Sequence, residues 1–180
     1  MLQNRKWNRL RDFDYSNPRL YFVTACVHDR VCSFGEVVNE QMVLNTYGNI
    51  AHDQWLWLHQ QYYYVTLHSF VIMPNHMHGI IEIDTDVFGR TGHDLDPAGK
   101  DGFTGTGQDL SIQQKIKSLS ELMGAYKTTT SKQIHLAGLH DFRWHRSFHD
   151  HIIRNETSYT NISNYIENNP RKWAEDKFHC

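Results

Sequence analysis

The chain has 180 residues, 39% hydrophobic and 13% aromatic, with 18 Lys and Arg against 20 Asp and Glu for a formal net charge of −2. That composition excludes a disordered chain and is long enough for one domain, residues 1–180, with a buried core. No apolar run approaches the roughly 18–20 residues of a bilayer span, and "MLQNRKWNRLRDFDY" carries no apolar leader stretch. Cys26, Cys32 and Cys180 are too scattered for a disulfide framework or a zinc knuckle, so a reducing, cytoplasmic setting without membrane attachment is expected.

In chain order, a basic stretch comes first: Arg5, Lys6, Arg9 and Arg11 around Trp7, with no acid among the first eleven residues. "RLYFVTACVHD" (19–29) follows an Asn-Pro turn signal and is rich in β-branched and aromatic residues, which predicts a strand. "NTYGNIAHDQWLWLHQQ" (45–61) sets Ile50, Trp55 and Leu58 near helical spacing, with Trp57 off the stripe, and predicts a helix whose aromatics pack in the core. "YYYVTLHSFVIMP" (62–74) and "HMHGIIEI" (76–83) read as two strands joined by a tight Pro74-Asn75 connection, hence antiparallel.

Residues 84–110 are Gly- and Asp-rich, with the composition of a flexible loop. Residues 84–109 hold six aspartates against Arg90 and Lys100, a local −4 that leaves the remainder at +2, so the net charge does not count against nucleic-acid binding. Residues 109–135, with Ile112, Ile116, Leu119 and Met123 at three- and four-residue steps, predict an amphipathic helix. "FRWHRSFHDHIIR" then holds a second basic cluster, Arg143, Arg146 and Arg154, and a short strand at 147–154. Asn155 is placed to cap a last helix that must end near Asn169, because Pro170 disfavours helical backbone in its predecessor. The order is that of an α+β, ferredoxin-like β-α-β-β-α-β sandwich with an antiparallel sheet and an added C-terminal helix.

Two histidines interrupt this pattern. In a strand, residues two apart share a face, so His76 and His78 present two imidazoles side by side. Neutral imidazole suits a divalent transition metal, but two ligands need a third from elsewhere. On the last helix Tyr165 and Asn169 are four apart and share a face. The Asn169 amide oxygen can complete a His-His-amide site, with the Tyr165 phenol beside it as a nucleophile activated by the cation. The plainer alternative is that Tyr165 packs and Asn169 caps the helix. His149 and His151 form a competing pair, and Glu82 shares the strand face but lies too far along it to join the first shell. Arg143, Trp144 and Arg146 suit stacking of an unpaired base between cations, unless Trp144 packs at a core edge.

Taken in order, "RLRDFDYSNPRLYFVTACVHDR", "SFGEVV", "MVLNTYG", "FVIMPNHMHGIIEI", "FRWHRSFHDHIIRNE" and "YIENNPRKW" resemble the REP-associated tyrosine transposases, a branch of the single-tyrosine HUH transposases, over nearly the whole chain except the 84–110 loop. The resemblance implies that His76, His78 and Asn169 are metal ligands for Mg²⁺ or Mn²⁺ and that Tyr165 is the nucleophile. It further implies cleavage of single-stranded DNA beside a palindromic hairpin, leaving a 5′-phosphotyrosine bond and a free 3′-OH. Arg5, Lys6, Arg9 and Arg11 would help recognise the hairpin. Insertion-sequence relatives carry Gln where Asn169 stands. Monomer and homodimer are both open, and a domesticated hairpin binder without cleavage, or a metallohydrolase using metal-bound water, are the rival functions.

Overall fold

Alternation of exposed-side and core-side residues in Arg19–Cys26 makes β1, the strand on which the structure is organised. The structure is a computed structural model that describes residues 19–84 and 116–179. Its further elements are β2 (Gly35–Val38), β3 (Gln41–Leu44), α1 (Thr46–Gln61), β4 (Val65–Met73), β5 (His76–Ile83), α2 (Leu119–Leu136), β6 (His149–Ile153) and α3 (Glu156–Glu167), with 3₁₀ turns at His28–Arg30 and Pro170–Glu175. The main sheet runs β4-β5-β1-β6 and is antiparallel throughout. That strand order is what the β-α-β-β-α-β reading requires, and the α+β class holds.

Local chemistry sets the boundaries. Asn45 Oδ1 accepts from the Tyr47 and Gly48 amides and starts α1. Ser118 and Glu121 form a reciprocal capping box that starts α2 at Leu119. The helix expected from residue 109 is thereby corrected: residues 116–118 are not helical, and the positions before them lie outside the described residues. Asn155 caps α3 through the Ser158 amide as expected, and Pro170 opens a separate 3₁₀ turn. A two-stranded sheet of β2 and β3 was not expected from the sequence; Asn39 and Glu40, both at positive φ, form its two-residue turn.

The sheet has two unlike faces. Tyr21, Val23 and Ala25 of β1 and Met77 and Ile81 of β5 are buried against Trp55 and Leu58 of α1 and Leu122, Met123 and Tyr126 of α2. On the other face Ile80 and Ile153 meet Ile166 of α3, and Met73 meets Trp173 and Phe178. The face that α3 and the C-terminal segment cover is the one that carries His76 and His78.

Gly79 lets α1 lie close to β5, since a Cβ there would stand 2.8 Å from Trp55 Cζ2 and 3.2 Å from Phe70 Cβ. Gly79→Ala is expected to destabilise the protein by about 1–3 kcal/mol. Urea denaturation midpoints check this, and an unchanged midpoint would show that α1 can slide away at no cost. Cys26 is a free thiol, but Cys32 is disulfide-bonded, a single pairing that the scattered cysteines did not announce. No helix among the described residues is long and apolar enough to cross a membrane. Arg5, Lys6, Arg9 and Arg11, and the Gly/Asp-rich loop beyond Asp84, lie outside the described residues.

Candidate active site

The tight turn between β4 and β5 places His76 at the start of β5, opposite Cys26, and His78 opposite Thr24. Both imidazoles are buried, at 0% and 2% exposure. Their Nε2 atoms face one another at 3.1 Å. The Tyr165 hydroxyl lies 3.2 Å from His78 Nε2, brought there by the last turn of α3. Asn169, just past that helix, is also buried, and its side chain lies beside Tyr165 and favours the phenolate. Its Oδ1 has no hydrogen-bond partner. The plainer expectation of a capping Asn169 does not hold, because its side chain makes no cap bond.

A second layer fixes the His76 tautomer and the placement of His78. The Asn75 Nδ2 group donates to the carbonyls of Arg30, at 3.0 Å, and Phe178, at 2.6 Å. Carbonyls only accept, so Asn75 Oδ1 is the atom 2.9 Å from His76 Nδ1, and that nitrogen carries the proton. The Nε2 lone pair of His76 therefore points into the site. Thr24 Oγ1 sits 2.7 Å from His78 Nδ1 and holds that ring in place, the hydroxyl being able to donate or to accept there. Phe22 stacks on His78 and meets Tyr165 edge-on, while Phe178 lies over His76 with ring centroids 4.7 Å apart.

This apolar collar keeps both imidazoles neutral. Burial brings the pKa of His76 down to about 4, and His78 is held well below the usual range by burial and then by neighbouring His76. In the unfolded chain both return toward the ordinary value near 6.5. The unfolded state thus binds more protons between those limits, so stability of the metal-free protein is full above about pH 6.5 and is lost as pH falls toward 4. For His76 the loss is roughly 3 kcal/mol. Denaturation midpoints in EDTA across this range check it; a slope no steeper than that of His76→Gln would contradict it.

The inward-pointing lone pair of His76, the facing Nε2 of His78 and a buried amide oxygen without a donor are suited to surround a cation. The neutral N, N, O donor set fits Mg²⁺ or Mn²⁺, with imidazole favouring Mn²⁺. Among the described residues no three His, Cys, Asp or Glu are placed to hold a metal, so the third donor here is an amide. The Tyr165 pKa is raised by burial and then by Asp176, while the Asn169 bond opposes the rise.

His76, His78, Tyr165 and Asn169 are thus brought together. His149 and His151 are exposed on the edge strand β6 and join no such cluster. Glu82 pairs instead with His68 at 3.0 Å. Trp144 corrects the base-stacking expectation: it is buried against Phe34, Tyr126 and Phe142, as the core-edge alternative holds, because its ring faces α2. Arg143 and Arg146 beside it are exposed. Sequence reading missed Thr24 and Phe22, which reach the site only through strand register, and Asn75, whose signal was its place in the turn directly before His76.

No protein-family profile matches the chain. An uncharacterized protein of Haemophilus influenzae Rd is 35% identical over 183 residues, covering 99% of this chain and 94% of its own. A solved REP-associated tyrosine transposase bound to a REP hairpin superposes with a TM-score of 0.53 at 19% identity, over 91% of this chain and 73% of its own. The chain therefore belongs to one family with the Haemophilus influenzae protein, and its fold is that of a REP-associated tyrosine transposase.

Proposed function

We propose that the chain is itself a REP-associated tyrosine transposase: a single-tyrosine HUH enzyme that cuts and rejoins single-stranded DNA beside a palindromic hairpin. The observation that carries this reading is the Tyr165 hydroxyl 3.2 Å from a nitrogen of the buried His76/His78 pair, with the unpartnered Asn169 oxygen beside it. His76, His78 and Asn169 would hold a divalent ion, which would act as a Lewis acid toward the scissile phosphate and favour the phenolate.

The chain's own residues do the rest. Asn169 lies beside the Tyr165 oxygen and favours its anionic form. Phe22 orients the phenol ring edge-on, and α3 holds it for in-line attack. A Tyr165 O–P bond forms, the P–O3′ bond breaks, and the proton given up by the phenol is balanced by one taken up at the departing 3′-oxygen. The 5′-phosphotyrosine bond retains the phosphodiester linkage, so a 3′-OH from another end can reverse the step without a nucleotide cofactor. Nucleophile and ligand set stand on one chain, which supports cleavage by a monomer.

A hairpin binder without chemistry has no use for buried, mutually facing imidazoles, whose desolvation is costly. The test is incubation with hairpin-bearing single-stranded DNA, labelled 3′ of the cut, with Mn²⁺, Mg²⁺ or EDTA. A labelled band on a denaturing protein gel, present with metal and absent with EDTA, is expected. Tight hairpin binding without that band would favour the domesticated binder. In the same assay Asn75→Ala is expected to weaken Mn²⁺ affinity about 10–100-fold by releasing the His76 tautomer; an unchanged metal titration would contradict the role given to Asn75.

A further inference from the structure

A second site lies on the opposite face of the sheet, where α2 and residues 140–146 enclose an open groove of about 770 Å³. Its lining includes Lys132, Arg143, Arg146, His140 and His145, and none of the lining residues is acidic. These five side chains are exposed. Thr128 and Ser131 add hydroxyls on the α2 wall.

The groove is held in shape from within. Lys127 Nζ donates to the carbonyls of His145, at 2.7 Å, and Ser147, at 3.1 Å. His135 Nε2 donates to the Phe142 carbonyl at 2.9 Å. Trp144, buried between these two ties, anchors the loop in the core and bridges to Val27. Arg143 and Arg146 are therefore displayed on a segment pinned at both ends, rather than on a loose loop. From Lys127 to Leu136 the α2 wall is ~14 Å long, room for a few phosphates of one strand.

We infer that this groove holds the phosphate backbone of a single DNA strand, without reading its bases. The chemistry is that of a cation-rich channel whose lining holds no carboxylate, the exposed Asp141 of the same segment standing outside the lining. The placement supports it as well. Val27, paired with Trp144, directly follows Cys26, whose partner across the sheet is His76. A strand leaving the groove past Trp144 thus arrives at the end of the sheet that carries the histidine pair. The inference rests on the reading of the chain as a DNA-processing enzyme, and it adds a binding surface distinct from the catalytic residues.

The test measures binding apart from chemistry. Fluorescence anisotropy in EDTA, over a salt series, compares the unmodified chain with Arg143→Gln/Arg146→Gln, with Lys132→Gln, and with the charge-matched Arg171→Gln/Lys172→Gln on the other side of the sheet. The probe is hairpin DNA with a single-stranded extension. The Arg143/Arg146 double variant is expected to lose about 10–100-fold in affinity and to flatten the log–log salt slope by about 1–2. Lys132→Gln should give a smaller loss in the same direction, and the matched control should change little. Thermal melts confirm that these exposed substitutions leave the fold intact. Unchanged affinity and slope in the groove variants, an equal loss in the matched control, or a loss seen with an RNA version but not with DNA would each overturn the inference. Metal-dependent adduct formation is scored separately. An adduct with unaltered groove binding removes the groove alone, whereas lost groove binding with no adduct removes the catalytic reading alone.

Discussion

Tyr165→Phe is expected to abolish the covalent protein–DNA adduct, by on the order of 10⁴-fold or more in rate, while hairpin affinity stays within about twofold. The substitution removes one oxygen, and that oxygen is the attacking atom. Tyr165 is 43% exposed, so its ring is not a keystone of the core. A phenylalanine keeps the edge-on contact with Phe22 and the packing against His78. What it gives up is the hydroxyl 3.2 Å from His78 Nε2. A quenched cleavage time course alongside anisotropy measures both quantities. Cleavage that survives in Tyr165→Phe would transfer the reaction to water and favour the metallohydrolase.

His78→Ala is the second change with a large expected effect. His78 links three of the site's side chains: Thr24 through Nδ1, and His76 and Tyr165 through Nε2. Its loss takes away one of three donors and the contact that positions the phenol. Mn²⁺ affinity is expected to fall more than the 10–100-fold typical of an outer-shell change, and the adduct should vanish at ordinary metal concentrations. Fold stability should move less, because two effects oppose. Thr24 loses its partner at a cost of about 1–3 kcal/mol, while the desolvation of one buried imidazole is relieved. Mn²⁺ titration followed by electron paramagnetic resonance reads the metal, and hairpin binding in EDTA reports whether the fold persists. Unaltered Mn²⁺ binding in a folded His78→Ala protein would remove the histidine pair from the metal site.

The elements of the main sheet were legible because each rests on a local signal. β-Branched and aromatic enrichment after an Asn-Pro turn marked β1, the Pro74-Asn75 dipeptide marked the tight connection between β4 and β5, and Asn155 and Pro170 bracketed α3. The hairpin of β2 and β3 was not, since it is short, half-exposed and turned by Asn39-Glu40 instead of an Asn-Gly pair. The start of α2 was placed too early because periodicity continues through Ile116, whereas the Ser118/Glu121 capping box decides the boundary. Of the site, His76, His78, Tyr165 and Asn169 could be named from spacing and resemblance. Their surroundings could not. Thr24 and Phe22 enter through β1–β5 register, and Phe178 through the course of the C-terminal segment, neither of which spacing encodes. Trp144 was drawn toward DNA by its arginine neighbours, and only packing against Phe34 and Tyr126 shows its ring turned inward.

The most direct measurement is peptide mapping by mass spectrometry of the adduct formed with hairpin DNA and Mn²⁺, after nuclease trimming of the bound strand. A nucleotide remnant joined through its 5′-phosphate to Tyr165 is the predicted result. A remnant on any other residue, or cleaved DNA with none on the protein, would contradict a tyrosine nucleophile at this site.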